Sequence, residues 1–402
     1  MLVSEGTGIV DLTVDAEEFI ADPYPRYAEL RERGAVHRVL TEAGEAYLVV
    51  GYDAVREALN DSRLTKDFRA MVGVRRPEQG VKPIDVHMLT TDPPDHTRLR
   101  KLVAREFTPR RVAALEPRVQ QITDDLMDAM LAAPDRRADL MDGLAYPLPM
   151  TMICELLGVP DRQRDDFRRW SNEILSPTSP EAAGAAVAAI EQYMDELIED
   201  KRCTAPADDL LSALIRTRAE DGDQLSHHEL IGTAFLLLIA GHETTVNLIA
   251  NGTLALLRHP EQLAALRADR SLLDGAVEEA LRYDGPVEGA TFRYSLEDVD
   301  YGGAVIPAGS VVHVVLASAG RDPKRFPAPD AFDIRRAGQS HVAFGHGIHF
   351  CLGAPLARLE GRIAFRALLD RCPELALDAD PGELEWRSGL IIRGVRRLPV
   401  RW

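Results

Sequence analysis

The feature that most limits what this chain can become is one long apolar run near its middle. Ser226 and Glu229 have the spacing of a helix-initiating capping box, and the sequence then stays largely apolar to about Leu257, just before Pro260. Some thirty residues of helix at ~1.5 Å each would span on the order of 45 Å, the width of a whole domain. A helix of that length must be buried along much of its course, so the other elements have to pack around it. Its most apolar stretch, Phe235 to Ala240, is far short of the roughly 20 residues needed to cross a bilayer, so no membrane association is expected. At its centre lies Ala240-Gly-His-Glu-Thr-Thr245, and a buried Glu-Thr-Thr is a poor match to a helix that only packs.

The remaining sequence predicts an α+β chain, predominantly helical. Amphipathic periodicity marks helices at Pro25–Arg33, Ala54–Asn60, Arg98–Phe107, Val112–Ala132, Ala182–Lys201, Gln262–Arg267, Leu272–Tyr283 and Leu356–Arg371. Strand-like runs are fewer: Ala46–Val50, Thr291–Tyr294, Val311–Leu316 and Leu390–Arg393. There is no βαβ rhythm, no repeat and no long linker, and residues 1–402 read as one domain with no fused reductase. A formal charge of −17 argues against nucleic acid or anionic membrane as a partner. Met1 to Asp11 has neither a basic flank nor an apolar core of a signal peptide, so a cytoplasmic location is expected. Cys154, Cys203, Cys351 and Cys372 form no C-x-x-C pair, which excludes a disulfide framework and the usual structural zinc patterns.

Cys351 differs from the other three. It sits in Phe344-Gly-His-Gly-Ile-His-Phe-Cys-Leu-Gly353, where glycines permit a tight loop to lie flat against a planar partner. A helical pattern follows, and a thiolate ahead of a helix N-terminus gains from free N–H donors, which suits it to a soft metal centre. Glu279 and Arg282 are one helical turn apart. On the central helix, Thr244 is placed to bond back to the carbonyl of Ala240. His96 and Arg100, four residues apart, share a face with Leu99, Val103 and Phe107, and cationic groups on an apolar stripe call for an anion. Arg98, Lys101 and Arg105 lie on the opposite face, followed by Arg110 and Arg111. From His96 to Arg111 six basic residues stand against one acid, a local charge of +5 in an acidic chain.

The cysteine segment matches the pattern F-G-x-G-x-H-x-C-x-G at every specified position, and the chain resembles the cytochrome P450 superfamily over nearly its whole length. That resemblance implies a single heme domain with a long central distal helix and a small β-rich N-terminal subdomain. It implies heme b, with Cys351 as the iron ligand and Phe344, Gly345, Ala240 and Gly353 lining the macrocycle. His96, Arg100, Arg293 and His349 would contact the propionates. Glu243 and Thr244 would be the acid–alcohol pair that delivers protons to oxygen, Glu243 standing where many relatives have Asp. Glu279, Arg282 and Arg335 would lock the helix to the segment before the heme loop. His242 is expected only to pack or to face solvent.

The same resemblance implies a monomeric monooxygenase that uses O₂ and takes electrons from a separate ferredoxin and its reductase. The basic face of Arg98, Lys101, Arg105, Arg110 and Arg111 would receive the acidic ferredoxin. By family position, the substrate is met by the loop from Phe68 to Leu89 and by the apolar residues Met88, Leu89, Leu236, Ile239, Val287, Ala290 and Ile391, which suits a hydrophobic small molecule. The wording of the chain is most like that of actinobacterial macrolide hydroxylases of the pikromycin type. Their loop acids, which grip a cationic amino sugar, correspond to Thr90 and Val81 here, and neither is acidic. A neutral polyketide, terpenoid, steroid or fatty acid stays open, with Glu288 either binding a polar substrate group or turned away. Alternative readings are a heme-thiolate oxidase or peroxygenase, against which the acid–alcohol pair speaks, and a heme-based sensor, against which that pair and the basic face both speak.

Overall fold

The expected capping box is present. Ser226 N donates to Glu229 Oε2 at 2.7 Å and Glu229 N donates to Ser226 Oγ at 3.3 Å, satisfying donors that the first helical turn leaves free. The helix they open runs from His227 to Arg258, 32 residues, or roughly 48 Å. By length and composition alone it could cross a membrane, yet 72% of its most apolar window is buried within the protein. This computed structural model describes residues 8–71, 82–160, 164–204, 207–217, 222–336 and 340–402. The chain divides into two compact units. One comprises Met1–Pro77, Ala250–Cys351 and Ala379–Leu398, the other Glu78–Ile249, Leu352–Asp378 and Pro399–Trp402.

The first unit carries a six-stranded mixed sheet, in the order Val10–Asp11, Val36–Thr41, Gly44–Val49, Val311–Val314, Arg293–Ser295 and Leu64–Thr65. Val36–Thr41 and Gly44–Val49 form a hairpin in which Thr41 pairs with Gly44 and Val36 with Val49. Gly44 has φ 110°, a conformation that a side chain would strain. Val39, Leu48, Val49, Val312 and Val314 are almost fully buried, as expected where β-branched and aliphatic residues pack on a sheet face. Two strand expectations change. Val311–Leu316 gives up its last residues to a short helix, Leu316–Gly320. Leu390–Arg393 forms no strand and makes only the single bridge Ile392–Val287.

The second unit is helical around an apolar cluster that includes Leu99, Leu102, Val103, Ile153, Cys154, Ile190, Met194, Leu211 and Leu238. Its helices include Asp95–Ala104, Glu116–Leu131, Pro147–Leu157, Arg164–Leu175, Pro180–Cys203, Leu210–Arg216 and Ala354–Arg371. The helix expected over Val112–Ala132 is two helices, Pro109–Ala114 and Glu116–Leu131, hinged at Leu115. Pro117 in the second turn lacks the N–H that a continuous helix would use. Pro147–Leu157 escaped the periodicity reading because it is apolar nearly all round, with eight of its residues buried. All four cysteines are free thiols. Cys154 and Cys372 are buried, Cys203 is exposed and Cys351 is intermediate.

Candidate active site

The cysteine loop is built by the first unit. Gly345 and Gly347 have φ 75° and 73°, the left-handed conformation in which a Cβ would be strained. They fold the loop so that Cys351 N donates to the Phe344 carbonyl at 2.9 Å and Gly345 N to the Val342 carbonyl at 2.8 Å. A Cβ on Gly345 would meet nothing nearer than 3.9 Å, whereas one on Gly347 would come within 2.6 Å of Asn60 Oδ1. The first glycine thus leaves clearance and the second secures packing. Gly353 needs no special conformation, since its φ is −82°.

Among the described residues no group of three or more His, Cys, Asp or Glu side chains could hold a metal ion. A lone thiol offers one ligand only. It therefore fits a metal whose other ligands arrive with it, in a planar macrocycle, and not a bare ion.

The second unit carries the middle of the central helix. Here Glu243 and Thr245 are buried, Ala240 is exposed, and Ile239, Gly241 and Thr244 are half-buried. A strip of mostly small residues is thus open on an otherwise buried helix. Thr244 Oγ1 donates to the Ala240 carbonyl at 2.9 Å, as the sequence predicts, and the helix continues unbroken through the site. Gly241 is required by packing, because a Cβ there would lie 2.8 Å from Ile153 Cδ1. His242 takes the packing place expected of it and carries polar contacts as well. It is fully buried, with Nδ1 2.7 Å from the Leu238 carbonyl and Nε2 3.2 Å from Ser171 Oγ. Its Nε2 also lies 3.3 Å from Glu243 Oε1, an ion-pair distance just outside hydrogen-bond geometry.

His96 lies 2% exposed on the helix Asp95–Ala104, with Arg100 half-buried one turn on. In the first unit Arg293 is 3% exposed and His349 is half-buried.

A family model described as Cytochrome P450 matches residues 21–381. The chain belongs to the cytochrome P450 family. Over 395 residues it is 59% identical to cytochrome P450 monooxygenase PikC of Streptomyces venezuelae, covering 98% of this chain and 94% of that one. It is 46% identical to 6-deoxyerythronolide B hydroxylase of Saccharopolyspora erythraea, covering 98% and 99%. Among solved structures, the tirandamycin C-bound P450 monooxygenase TamI superimposes with a TM-score of 0.90 at 46% identity, covering 98% of this chain and 99% of that one. The chain is thus an oxidoreductase of the P450 monooxygenase type, whose family carries heme iron.

In this P450 the pair Glu279–Arg282 is deeply buried, both side chains being 2% exposed. Arg282 donates to both carboxylate oxygens of Glu279, at 2.7 and 2.8 Å, and to the carbonyls of Gly320, Pro329 and Ala331. The third member is Arg336, not Arg335. Arg336 Nε reaches Glu279 at 3.2 and 3.3 Å and its terminal nitrogens donate to the carbonyls of Pro327, Ala328 and Ala331. Arg335 is exposed. The reason is local: Arg336 N closes a turn onto the Asp333 carbonyl while Asp333 Oδ1 accepts from Arg335 N, which directs the two arginines oppositely.

The basic face of the P450 is smaller than expected. Arg98 is held by Asp223 at 3.3 Å and by Glu229, and Arg111 is paired with Glu106. Lys101, Arg105 and Arg110 are exposed. Of the expected substrate residues, Met88 and Leu236 are buried in the helical unit's cluster, with Leu89 and Ile239 packed on it. Val287 and Ala290 pack on the other unit's core. Ile391 offers its carbonyl to Glu288 N at 2.9 Å. Val81 lies outside the described residues, as do positions 72–80 of the same loop. Glu288 is turned inward, where the Tyr27 hydroxyl donates to it at 2.5 Å and burial raises its carboxyl to about 7.

Three residues escaped the sequence reading. Glu360, in the helix Ala354–Arg371, is 1% exposed and bonded to Thr245, the neighbour of Thr244; burial lifts its carboxyl to about 8. The only sequence signal was a carboxylate on the apolar face of that helix, four residues after Leu356. His313 is fully buried with Nε2 2.9 Å from the Leu390 carbonyl, and burial lowers it to about 4. Asp85 stands in the loop expected to meet the substrate, where burial raises its carboxyl, with Glu191 adding to the effect.

Proposed function

We propose that this P450 inserts one oxygen atom from O₂ into an apolar small molecule of the polyketide or macrolide kind, by hydroxylation or epoxidation. Its electrons come from a separate ferredoxin and ferredoxin reductase, and it works as a monomer in the cytoplasm. The observation that carries the reading is the Thr244 hydroxyl tethered to Ala240 beside the buried Glu243, on the open strip of the central helix. A carboxyl and a hydroxyl side by side are what proton delivery to an oxygen atom needs, and neither passive heme binding nor a peroxide-only enzyme requires them.

The residues present fit heme b. Cys351 would ligate the iron, and Phe344, Gly345, Ala240 and Gly353 would lie along the macrocycle. His96, Arg100, Arg293 and His349 would take its propionates. Bound there, thiolate-ligated iron supplies the activation of O₂. The chain's own part is to move protons and to position the substrate. Tethering to the Ala240 carbonyl fixes the Thr244 hydroxyl, and Glu243, held out of bulk water, is the acid that resupplies it. Glu279, Arg282 and Arg336 keep the segment before the cysteine loop in place. Met88, Leu89, Leu236, Ile239, Val287, Ala290 and Ile391 offer apolar surface to the substrate. A relative named 6-deoxyerythronolide B hydroxylase supports a polyketide-type substrate, while one named vitamin D(3) 25-hydroxylase, 48% identical, supports a steroid-type one. Lys101, Arg105 and Arg110 would steer the ferredoxin.

The test is Thr244→Ala. Hydrogen peroxide released per NADPH consumed should rise, while the reduced carbon monoxide complex keeps a thiolate-type Soret band. An unchanged peroxide ratio removes the relay, and a histidine-type band removes the thiolate. Low-to-high-spin shifts across a panel of polyketides, terpenoids, steroids and fatty acids would identify the substrate class.

A further inference from the structure

A proton relay must be refilled after each proton it gives up, and Glu243 is only 2% exposed. One ionisable neighbour at close range is His242, also buried, with Nε2 3.3 Å from Glu243 Oε1, and the Tyr146 hydroxyl also feels the Glu243 charge. The imidazole is held from both sides. Nδ1 lies 2.7 Å from the Leu238 carbonyl, which only accepts, so this nitrogen carries a hydrogen. Nε2 faces Glu243 Oε1 and, at 3.2 Å, Ser171 Oγ. The Ser171 hydroxyl is itself placed to donate to the Arg168 carbonyl at 3.2 Å, which leaves its oxygen free to accept from Nε2. Both ring nitrogens therefore face groups able to accept a hydrogen bond.

The other charged or titratable groups facing this corner are few. The Tyr146 ring meets the imidazole edge-on at 5.9 Å. The Arg168 guanidinium stacks 4.4 Å over Tyr146 and is paired with Asp142. Asp165 adds a more distant charge.

We propose that His242 is the immediate proton donor to Glu243, a positioning residue that acts through the acid and touches neither oxygen nor substrate. This rests on the reading of Glu243 and Thr244 as the relay. In the step itself, the proton on Nε2 passes to Glu243 Oε1, converting imidazolium and carboxylate to neutral imidazole and carboxylic acid. The hydrogen on Nδ1 stays there, donated to the Leu238 carbonyl. After Glu243 hands its proton on, Nε2 regains one that originates in bulk water, and the buried Ser171 hydroxyl beside it is the polar group on that side of the ring. One proton enters for each that leaves. The pair also answers the cost of burying a lone carboxylate.

The experiment uses the holoenzyme with a surrogate ferredoxin, its NADPH-dependent reductase and O₂ alone. His242→Phe keeps the ring volume and His242→Gln keeps polarity, while neither exchanges protons. Both should slow NADPH-driven O₂ consumption on the order of 10-fold or more, with a larger solvent deuterium isotope effect. Peroxide-driven oxidation of guaiacol, in which the oxidant brings its own protons, should be unchanged. A second readout needs no turnover: infrared spectra at neutral pH should gain a protonated-carboxyl band in His242→Phe. Adding Glu243→Gln should abolish that band. If both His242 variants keep the wild-type rate or show no new band, while Glu243→Gln is slow, the donor assignment is overturned and the relay stands. If Glu243→Gln is also unchanged, the relay itself is overturned. Loss of peroxide-driven activity in both His242 variants would make the residue a packing element and would equally overturn the proposal.

Discussion

Replacing Glu360 by Gln should change how stability depends on pH. Glu360 is buried beside Thr245, and burial raises its carboxyl from 4.5 to about 8. The folded protein then holds a proton that the unfolded chain has already released over most of that interval. Stability falls as pH rises wherever the native state binds more protons, by about 1.4 kcal/mol per pH unit for one group. The contribution is complete below the unfolded value and is withdrawn as pH climbs toward the folded one. From this group alone about 3 kcal/mol is lost by neutral pH, and about 5 kcal/mol once it ionises. Glutamine is neutral throughout. Its amide adds a constant offset, and every other titrating group cancels in the comparison. Urea midpoints of both proteins, followed by far-ultraviolet circular dichroism between about pH 5 and pH 8, should therefore diverge, with Glu360→Gln gaining on wild type as pH rises. Parallel curves would refute the reasoning, because they would mean that Glu360 is ionised in the folded state at neutral pH.

Two further outcomes follow from the geometry. Arg336→Ala should destabilise the protein by about 1–3 kcal/mol, below the full cost of breaking a buried pair because Arg282 stays on Glu279, whereas Arg335→Ala should stay within about 0.5 kcal/mol; thermal melts of both variants decide between them. Reversing Lys101 and Arg105 to Glu should slow reduction by ferredoxin most strongly at low salt, and stopped-flow rates across ionic strength check this. Arg98→Ala should instead lower thermal stability by releasing Asp223 and Glu229, with little effect on that rate.

Motifs whose function lies in their immediate neighbours were legible in the sequence. The capping box at Ser226 and Glu229, the glycine turn before Cys351 and the Thr244–Ala240 bond are made within a few residues, so spacing alone specifies them. The long central helix was equally plain, because a sustained apolar pattern has few other solutions. The motif of the cysteine loop then carried the family, and with it the chemistry.

What the sequence could not say depended on where distant or one-residue-shifted groups came to rest. Arg335 and Arg336 are indistinguishable in composition and differ by one position in a turn, yet only Arg336 folds back onto Glu279. Arg98 and Lys101 both read as solvent-facing cations, until Asp223 and Glu229 claim the first. His242 and Glu360 carry no motif of their own. Each acquires meaning only because tertiary packing removes it from water and sets a second polar group beside it, Ser171 in one case and Thr245 in the other. Burial is a property of the whole fold, and it decides what an ionisable side chain does. The sequence by itself determined the helical class, the glycine turn of the cysteine loop and the Thr244–Ala240 bond, whose partners are local. Only the tertiary structure decided which arginine joins Arg282 on Glu279, which cations of the basic run are paired with acids, and which ionisable groups are buried.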